Sequence, residues 1–330
     1  MKAMVIEEFG SPSELKQVEI DKPMVQPHHV LIEVKATSVN PVDCRIRRGQ
    51  ALAMTSEFPA ILQGDVAGIV AEVGEGVTKF KVGDEVYGLA GGTKGTAGGA
   101  LADFMLADVD FLALKPRNLD MKSAAALPLV SLTAWQALVD RAQVGPNQKV
   151  LIHGAAGGVG HIAIQIAKWR GADVYSTATG EEKLSIGKSL GATMIDYKTE
   201  DVKDYVKDYT DGKGFDAVFD TVGGENLPKS FEATRPLGQV MAISTWGTYD
   251  LSILNAKGLN LRVIFCMYPL VSGIGRAHYG EILSQVTQLV EEGKINPILD
   301  SKNFTLLDAA KAHEHLESGK AIGKVVITNE

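Results

Sequence analysis

Apolar positions along the chain follow two rhythms. Up to about residue 120, short β-branched runs dominate, among them Val30-Leu31-Ile32-Glu33-Val34 and Ile69-Val70-Ala71-Glu72-Val73. Turn chemistry such as Val82-Gly83-Asp84-Glu85-Val86 separates them, a pattern that predicts strands. From about Lys122, strand-like runs alternate with helical periods. Val150-Leu151-Ile152 is a continuous apolar run of the kind buried on both faces of a parallel sheet. Ile162, Ala163, Ile166 and Ala167 follow at helical spacing. A strand at Val174–Thr177, a helix over 181–190 and a strand at Thr193–Ile195 come next. Further strands are predicted at 217–219, 240–243 and 261–264. Alternation of this kind with short links predicts a doubly wound parallel sheet with right-handed crossovers. From about Tyr268 a helical stretch, 281–292, and a last strand, 323–327, do not belong to that sheet and are read as returning to the first domain.

Length agrees with two cores, because 330 residues exceed what one ordinary core accommodates. A hydrophobic share of 45% beside 22% charged residues describes a globular chain, neither disordered nor fibrous. The net charge of −7 argues against a nucleic-acid surface. Two cysteines, Cys44 and Cys266, build no disulfide framework and cannot alone complete a four-ligand zinc site. The opening MKAMVIEEFG has no apolar core of a signal peptide, and no run reaches the length of a membrane span. A cytoplasmic protein is expected. Gly91–Gly99 (GGTKGTAGG) is read as a mobile loop. It is not a P-loop, because Gly95 rather than Ser or Thr follows Lys94; Gly187-Lys188-Ser189 lacks the glycine five residues earlier.

The densest chemistry is HGAAGGVG, residues 153–160, directly after the apolar run. It reads Ala155-x-Gly157-x-x-Gly160, a dinucleotide fingerprint with alanine at its first glycine position. Gly157 lets backbone approach a pyrophosphate, and Gly160 lets the next helix lie close to the strand. The helix N-terminus then offers free N–H groups and the positive end of its dipole. An NAD-preferring site places an acid about 20 residues on, at the end of the second strand. Here Thr177-Ala178-Thr179-Gly180 stands there, with Glu181, Glu182 and Lys183 just beyond. Hydroxyls and a cation suit a 2′-phosphate, so NADPH is favoured. Thr179-x-x-Glu182 also reads as a capping box.

Taken in order, these stretches resemble the zinc-independent quinone oxidoreductase (ζ-crystallin-like) branch of the medium-chain dehydrogenase/reductases. The likeness rests on Ser38-Val39-Asn40-Pro41-Val42-Asp43, Gly64-Asp65-Val66-Ala67-Gly68 with Val73-Gly74, and Val82–Val86. It continues through Ala126-Leu127-Pro128 with Thr133-Ala134-Trp135, the glycine loop, Lys188–Ala192 and Gly319–Lys324. It implies an α/β fold: a GroES-like β-rich catalytic domain plus a Rossmann doubly wound parallel sheet, with the cofactor in the cleft between them. The expected boundaries are 1–121 and 266–330 for the catalytic domain and 122–265 for the Rossmann domain. In zinc-dependent relatives a cysteine ligand stands where this chain has Asn40, a histidine where it has Gly64, and a second cysteine near Leu129–Val130, so no metal is expected. His28, His29, His313 and His315 read as surface imidazoles, and Asp43 and Asp65 as lone carboxylates.

The resemblance further implies that Asn40 and Asp43 line the substrate side and that Thr133 approaches the nicotinamide. It puts Tyr197 with Lys183 near the 2′-phosphate, though Tyr197 reads equally as a packed strand-end aromatic, and it puts Lys324 near the pyrophosphate. The expected cofactor set is Thr133, Ala155, Ala156, Gly157, Gly158, Val159, Gly160, Thr177, Thr179, Lys183, Tyr197, Ser244 and Lys324. The expected catalytic set is Asn40, Asp43, Arg45 and Tyr268. Arg45-Ile46-Arg47-Arg48 departs from relatives with an aromatic there; it reads as a solvated basic face, with one arginine able to draw in a polarised carbonyl. Without a metal Lewis acid, alcohol oxidation loses its route to an alkoxide. The expected reaction is NADPH-dependent hydride transfer to quinones or to enals and enones. The alternatives are a non-catalytic NADPH-binding protein, or a carbonyl or alcohol dehydrogenase of the same superfamily. A homodimer built through the last Rossmann strand, Leu261–Phe265, is a further expectation.

Overall fold

The computed structural model describes residues 1–329. The chain divides into two compact units: Met1–Leu132 together with the segment from Met267 onward, and Thr133–Cys266.

The first unit is built mainly of antiparallel strands. Its elements are β1 (Lys2–Ile6), β2 (Lys16–Glu19), β3 (His29–Val39), α1 (Pro41–Arg47), β4 (Ala60–Ile61), β5 (Asp65–Val73), β6 (Glu85–Leu89), β7 (Phe104–Asp108), β8 (Leu112–Leu114), α2 (Met121–Ala125) and α3 (Pro128–Trp135). The long β3 is the spine of this unit: β5, β7 and the C-terminal strand all pair with it antiparallel. Its interior positions Val30, Leu31, Ile32 and Val34 are buried, as β-branched and aliphatic residues between packed faces should be. Helix α2, which a boundary at 121/122 assigns to the second domain, packs on β3 and β5 and so goes with the first.

The second unit alternates strand and helix: β9 (Lys149–His153), α4 (Gly158–Trp169), β10 (Asp173–Ala178), α5 (Glu181–Ser189), β11 (Thr193–Asp196), α6 (Val202–Thr210), β12 (Phe215–Asp220), α7 (Asn226–Ala233), β13 (Thr234–Ala242), α8 (Ser252–Lys257) and β14 (Asn260–Val263). All six strands run parallel in the order β11-β10-β9-β12-β13-β14. The order reverses between β9 and β12, and ligands of such sheets sit at the carboxyl ends of strands at that switch point. The glycine loop leaves β9 there.

The chain then returns to the first unit through α9 (Tyr268–Ser272), α10 (Arg276–Glu291), β15 (Phe304–Thr305), α11 (Ala309–Glu317) and β16 (Val325–Thr328). Strand β16 lies between β15 and β3, with Val325 opposite Val39.

Four local expectations are corrected. Helix α5 starts at Gly180, whose φ of 84° only glycine adopts readily, and no side-chain cap from Thr179 or Glu182 forms. The 91–99 loop is folded on itself: Gly92 N–H donates to Gly98 O at 2.7 Å, and Thr93 is buried. The 45–48 run is no solvated face, because Arg47 is completely buried. Its guanidinium donates to Glu317 Oε1 at 2.5 Å, to Gly10 O at 2.6 Å and to His313 Nδ1 at 3.4 Å. His313 is correspondingly a core residue, with burial holding its pKa down at about 3, and His315 pairs with Asp300 at 3.0 Å. Neither is a surface imidazole.

Candidate active site

In the first unit the site grows from the end of β3. Asn40 caps α1, and its backbone N–H donates to Asp43 Oδ2 at 2.7 Å. Burial pushes the Asp43 carboxyl up to about 7. The Asn40 side chain faces Asp65, the first residue of β5. Asp65 is fully buried and holds four donors. Ser38 Oγ lies at 2.5 Å, Asn40 Nδ2 at 2.8 Å and Lys324 Nζ at 3.4 Å from Oδ2, and Leu129 N lies 2.8 Å from Oδ1. Lys324 also donates to Asn40 Oδ1. The amide orientation is therefore determined: its oxygen meets an ammonium, which only donates, and its nitrogen meets a carboxylate, which only accepts.

Asp65, read from sequence as a lone carboxylate, is thus the centre of the cluster. It neutralises Lys324, itself 3% exposed, and lies at the N-terminal end of α3, where the helix dipole favours an anion. Four residues after Leu129, α3 carries the buried Thr133. Lys324 is engaged inside this cluster rather than standing as a free cation for a phosphate. Arg45 lies half-buried on α1, and Tyr268, half exposed at the start of α9, lies outside the cluster. Among the described residues no group of three or more His, Cys, Asp or Glu side chains gathers as metal ligands do.

In the second unit, Ala155 and Ala156 are buried and the loop turns at Gly154, whose φ is +83°. Gly157 N–H donates to Gly154 O at 3.0 Å, and Gly157 is the N-cap of α4. A Cβ at Gly160 would stand 2.0 Å from Gly154 O, and one at Gly157 3.3 Å from it. Only glycine lets the helix start this close to the strand. Gly158, Val159 and Gly160 form the first turn of α4, where N–H groups have no partner within the helix. With this cradle and its small residues, the loop fits a pyrophosphate.

The end of β10 holds the remaining groups. The Thr177 side chain turns back into the sheet instead of offering a hydroxyl to a phosphate: it is 4% exposed, with Oγ1 3.0 Å from His153 Nδ1. Thr179 and Lys183 are half-buried, and Lys183 lies in the first turn of α5. Tyr197 follows Asp196, the register partner of Ala178, and is 51% exposed, so it stands beside Thr179. Ser244 follows β13 and packs on Gly223 at the end of β12. The chain brings Thr179, Lys183 and Tyr197 to one sheet edge with no strand-end carboxylate on β10, an arrangement suited to a 2′-phosphate.

Two family profiles match the chain: an alcohol dehydrogenase GroES-like domain over residues 26–117 and a zinc-binding dehydrogenase over 190–327. The NADPH-dependent alkenal/one oxidoreductase of Arabidopsis thaliana chloroplasts is 34% identical, over 99% of this chain and 79% of its own. The chain is a medium-chain dehydrogenase/reductase of the quinone oxidoreductase branch. An alcohol dehydrogenase superfamily protein of Novosphingobium aromaticivorans superimposes with a TM-score of 0.95 at 41% identity, covering all of both chains. The Escherichia coli quinone oxidoreductase, solved with NADPH, gives 0.88 at 28% identity, over 99% of this chain and 100% of its own. In this medium-chain dehydrogenase/reductase an ammonium, Lys324, supplies the positive charge of the Asn40–Asp65 cluster.

Proposed function

We infer that this chain is an NADPH-dependent oxidoreductase that transfers hydride to quinones or to α,β-unsaturated carbonyl compounds. The observation that carries the reading is the glycine cradle at the switch point of a parallel sheet, joined to a catalytic unit whose buried cation is a lysine. Bound NADPH supplies a hydride from its nicotinamide ring. Backbone N–H groups at the start of α4 would hold its pyrophosphate, and Thr179, Lys183 and Tyr197 its 2′-phosphate. In the catalytic unit, the Asp65–Lys324 pair fixes the Asn40 amide. One Asn40 amide hydrogen is taken by Asp65; the other points to Ser38 O at a long 3.5 Å. We assign that second hydrogen, held only loosely by Ser38 O, as the donor that turns to the carbonyl oxygen on which charge develops. A donor of this kind contributes at most about 10²-fold in kcat. Arg45 would favour anionic acceptors.

The test follows NADPH absorbance with a quinone, an alkenal, an enone and a saturated aldehyde in parallel, and NADP reduction with simple alcohols. Turnover of the conjugated acceptors with negligible alcohol oxidation supports the assignment. Turnover confined to the saturated aldehyde makes the protein a carbonyl reductase, and no turnover with firm NADPH binding makes it a binding protein.

We extend the reading to a homodimer. Strand β14 is the sheet edge, and Val263 and Phe265 are 57% and 47% exposed beside it. An exposed edge with apolar side chains invites pairing with a second copy. Light scattering that returns a monomer mass at micromolar concentration would remove it. No helix among the described residues is long and apolar enough to cross a membrane. With a net charge of −7 we assign no nucleic-acid partner and place the protein in the cytoplasm.

A further inference from the structure

His153 ends β9 immediately before the glycine loop. Its register partner on β10 is Thr177, and on the other side Ile152 pairs with Phe219, which puts Asp220 level with His153. Neighbouring strands at one level point side chains to one face. The three polar residues therefore form a row across the carboxyl ends of β10, β9 and β12, all of them buried. Thr177 and Asp220 hold backbone, and the His153 carbonyl is itself held. The Thr177 carbonyl accepts from Gly154 N at 3.1 Å and Ala155 N at 3.0 Å, and its Oγ1 lies 3.4 Å from Gly154 N. Asp220 Oδ1 accepts from Val222 N and Gly223 N, both at 2.8 Å. Thr221 Oγ1 donates to the His153 carbonyl at 2.5 Å.

His153 Nδ1 and Thr177 Oγ1 share a hydrogen bond at 3.0 Å, in which the hydroxyl donates when Nε2 carries the ring hydrogen and accepts when Nδ1 carries it. That Nε2 is buried and has no partner. A buried ring nitrogen without a partner costs free energy that a leucine of similar volume would avoid. The imidazole is neutral, its pKa held at about 4 chiefly by burial. What it contributes that leucine does not is the Nδ1 hydrogen bond that fixes the Thr177 hydroxyl.

We propose that His153 is a positioning residue for the cofactor loop, acting through Thr177 on Gly154 and so setting NADPH affinity without touching the reacting atoms. The line of action is short. Thr177 fixes Gly154, and the Gly154 carbonyl is the point on which Gly157 closes at 3.0 Å and against which Gly160 packs. A shift of Gly154 moves the first turn of α4 and the N–H groups aimed at a phosphate.

The inference rests on the loop being the dinucleotide seat, and the experiment separates the two. NADPH is titrated by fluorescence into wild type, His153→Leu, His153→Asn and Thr177→Val, with kcat at saturating NADPH and melting temperature recorded. His153→Leu and Thr177→Val should each weaken NADPH binding about three- to tenfold, the range of one neutral hydrogen bond, with kcat within about twofold of wild type. His153→Asn, whose side-chain amide reaches where Nδ1 stood and can donate or accept there, should restore most of the affinity. The double variant His153→Leu/Thr177→Val should bind no more weakly than its weaker parent. Wild type without measurable NADPH binding would defeat the cofactor reading itself. Wild-type affinity in His153→Leu, no recovery in His153→Asn, or fully additive losses would overturn the proposal. If His153→Leu does not fold, Thr177→Val compared with Thr177→Ser, which keeps the hydroxyl, decides it on the same scale.

Discussion

Gly157 and Gly160 face the same carbonyl oxygen at different distances, and exchanging each for alanine should separate two functions of the loop. At Gly160 the new methyl would stand 2.0 Å from Gly154 O, against about 3.4 Å for ordinary contact. Strand end and helix start must move apart by about 1.4 Å, and both are backbone. Overpacking of that kind costs about 1–3 kcal/mol, or roughly 2–4 °C of melting temperature per kcal/mol for a domain of this size. At Gly157 the methyl meets the same oxygen at 3.3 Å, a conflict a small adjustment removes, and the φ of −82° suits alanine. Gly157→Ala should therefore keep wild-type stability. It should still weaken NADPH binding roughly tenfold or more, the equivalent of one charge-assisted phosphate contact of about 1.5–3 kcal/mol. Gly160→Ala should lose both stability and affinity. Thermal unfolding without ligand and fluorescence titration with NADPH give the two readouts. Near-wild-type NADPH affinity in Gly157→Ala would refute the placement of the pyrophosphate at this turn. An unchanged melting temperature in Gly160→Ala would refute the packing argument.

Three further expectations can be checked with the same preparations. Lys183→Ala should raise the NADPH dissociation constant about tenfold and leave that of NADH unchanged, since only the former carries the 2′-phosphate; an equal change in both cofactors contradicts the assignment. Asp65→Asn should destabilise the fold by about 3–5 kcal/mol because it strands the buried Lys324 ammonium, and adding Lys324→Met should recover part of the loss in urea unfolding; additive losses would show that the pair is not coupled. His313, neutral in the fold with its pKa near 3, takes up a proton on unfolding once pH drops below about 6.5. Its contribution is complete above that pH and is lost progressively on acidification towards 3, about 2 kcal/mol at pH 5. His313→Gln should flatten the stability profile between pH 7 and 5, and an unchanged slope would exclude the residue.

The second unit was legible because its signals are local. Apolar runs and helical periods alternate within a few residues, and the loop's small residues are contiguous, so strand, turn and helix could be read together. What escaped the reading joins distant positions or depends on side-chain direction. Ser38, Asn40, Leu129 and Lys324 meet on Asp65 only after β3, β5, α3 and the C-terminal segment have assembled. Nothing within a short window announces that meeting. Arg47 and His313 escaped the reading for the same reason: a basic run and a histidine far along the chain look solvated until α1 and α11 pack together. Thr177 was placed correctly on the strand, but whether its hydroxyl faces ligand or sheet depends on His153 across the pairing. The Thr179-x-x-Glu182 pattern met the composition of a capping box, and the left-handed Gly180 between them took the cap position instead.

Strand β16 has a consequence for how the molecule is made. The spine strand β3 emerges early from the ribosome, yet one of its antiparallel neighbours is drawn from residues 325–328. The stretch 133–266 is contiguous and has its own sheet, so it can collapse while the rest of the polypeptide is still being synthesised. The unit containing the N-terminus must wait, with Asp65 hydrated and Val39 unpaired, until residues 324–328 are translated. Assembly therefore runs from the inserted piece outward, and a ribosome stalled shortly before residue 324 would carry a finished nucleotide fold tethered to an unfinished partner.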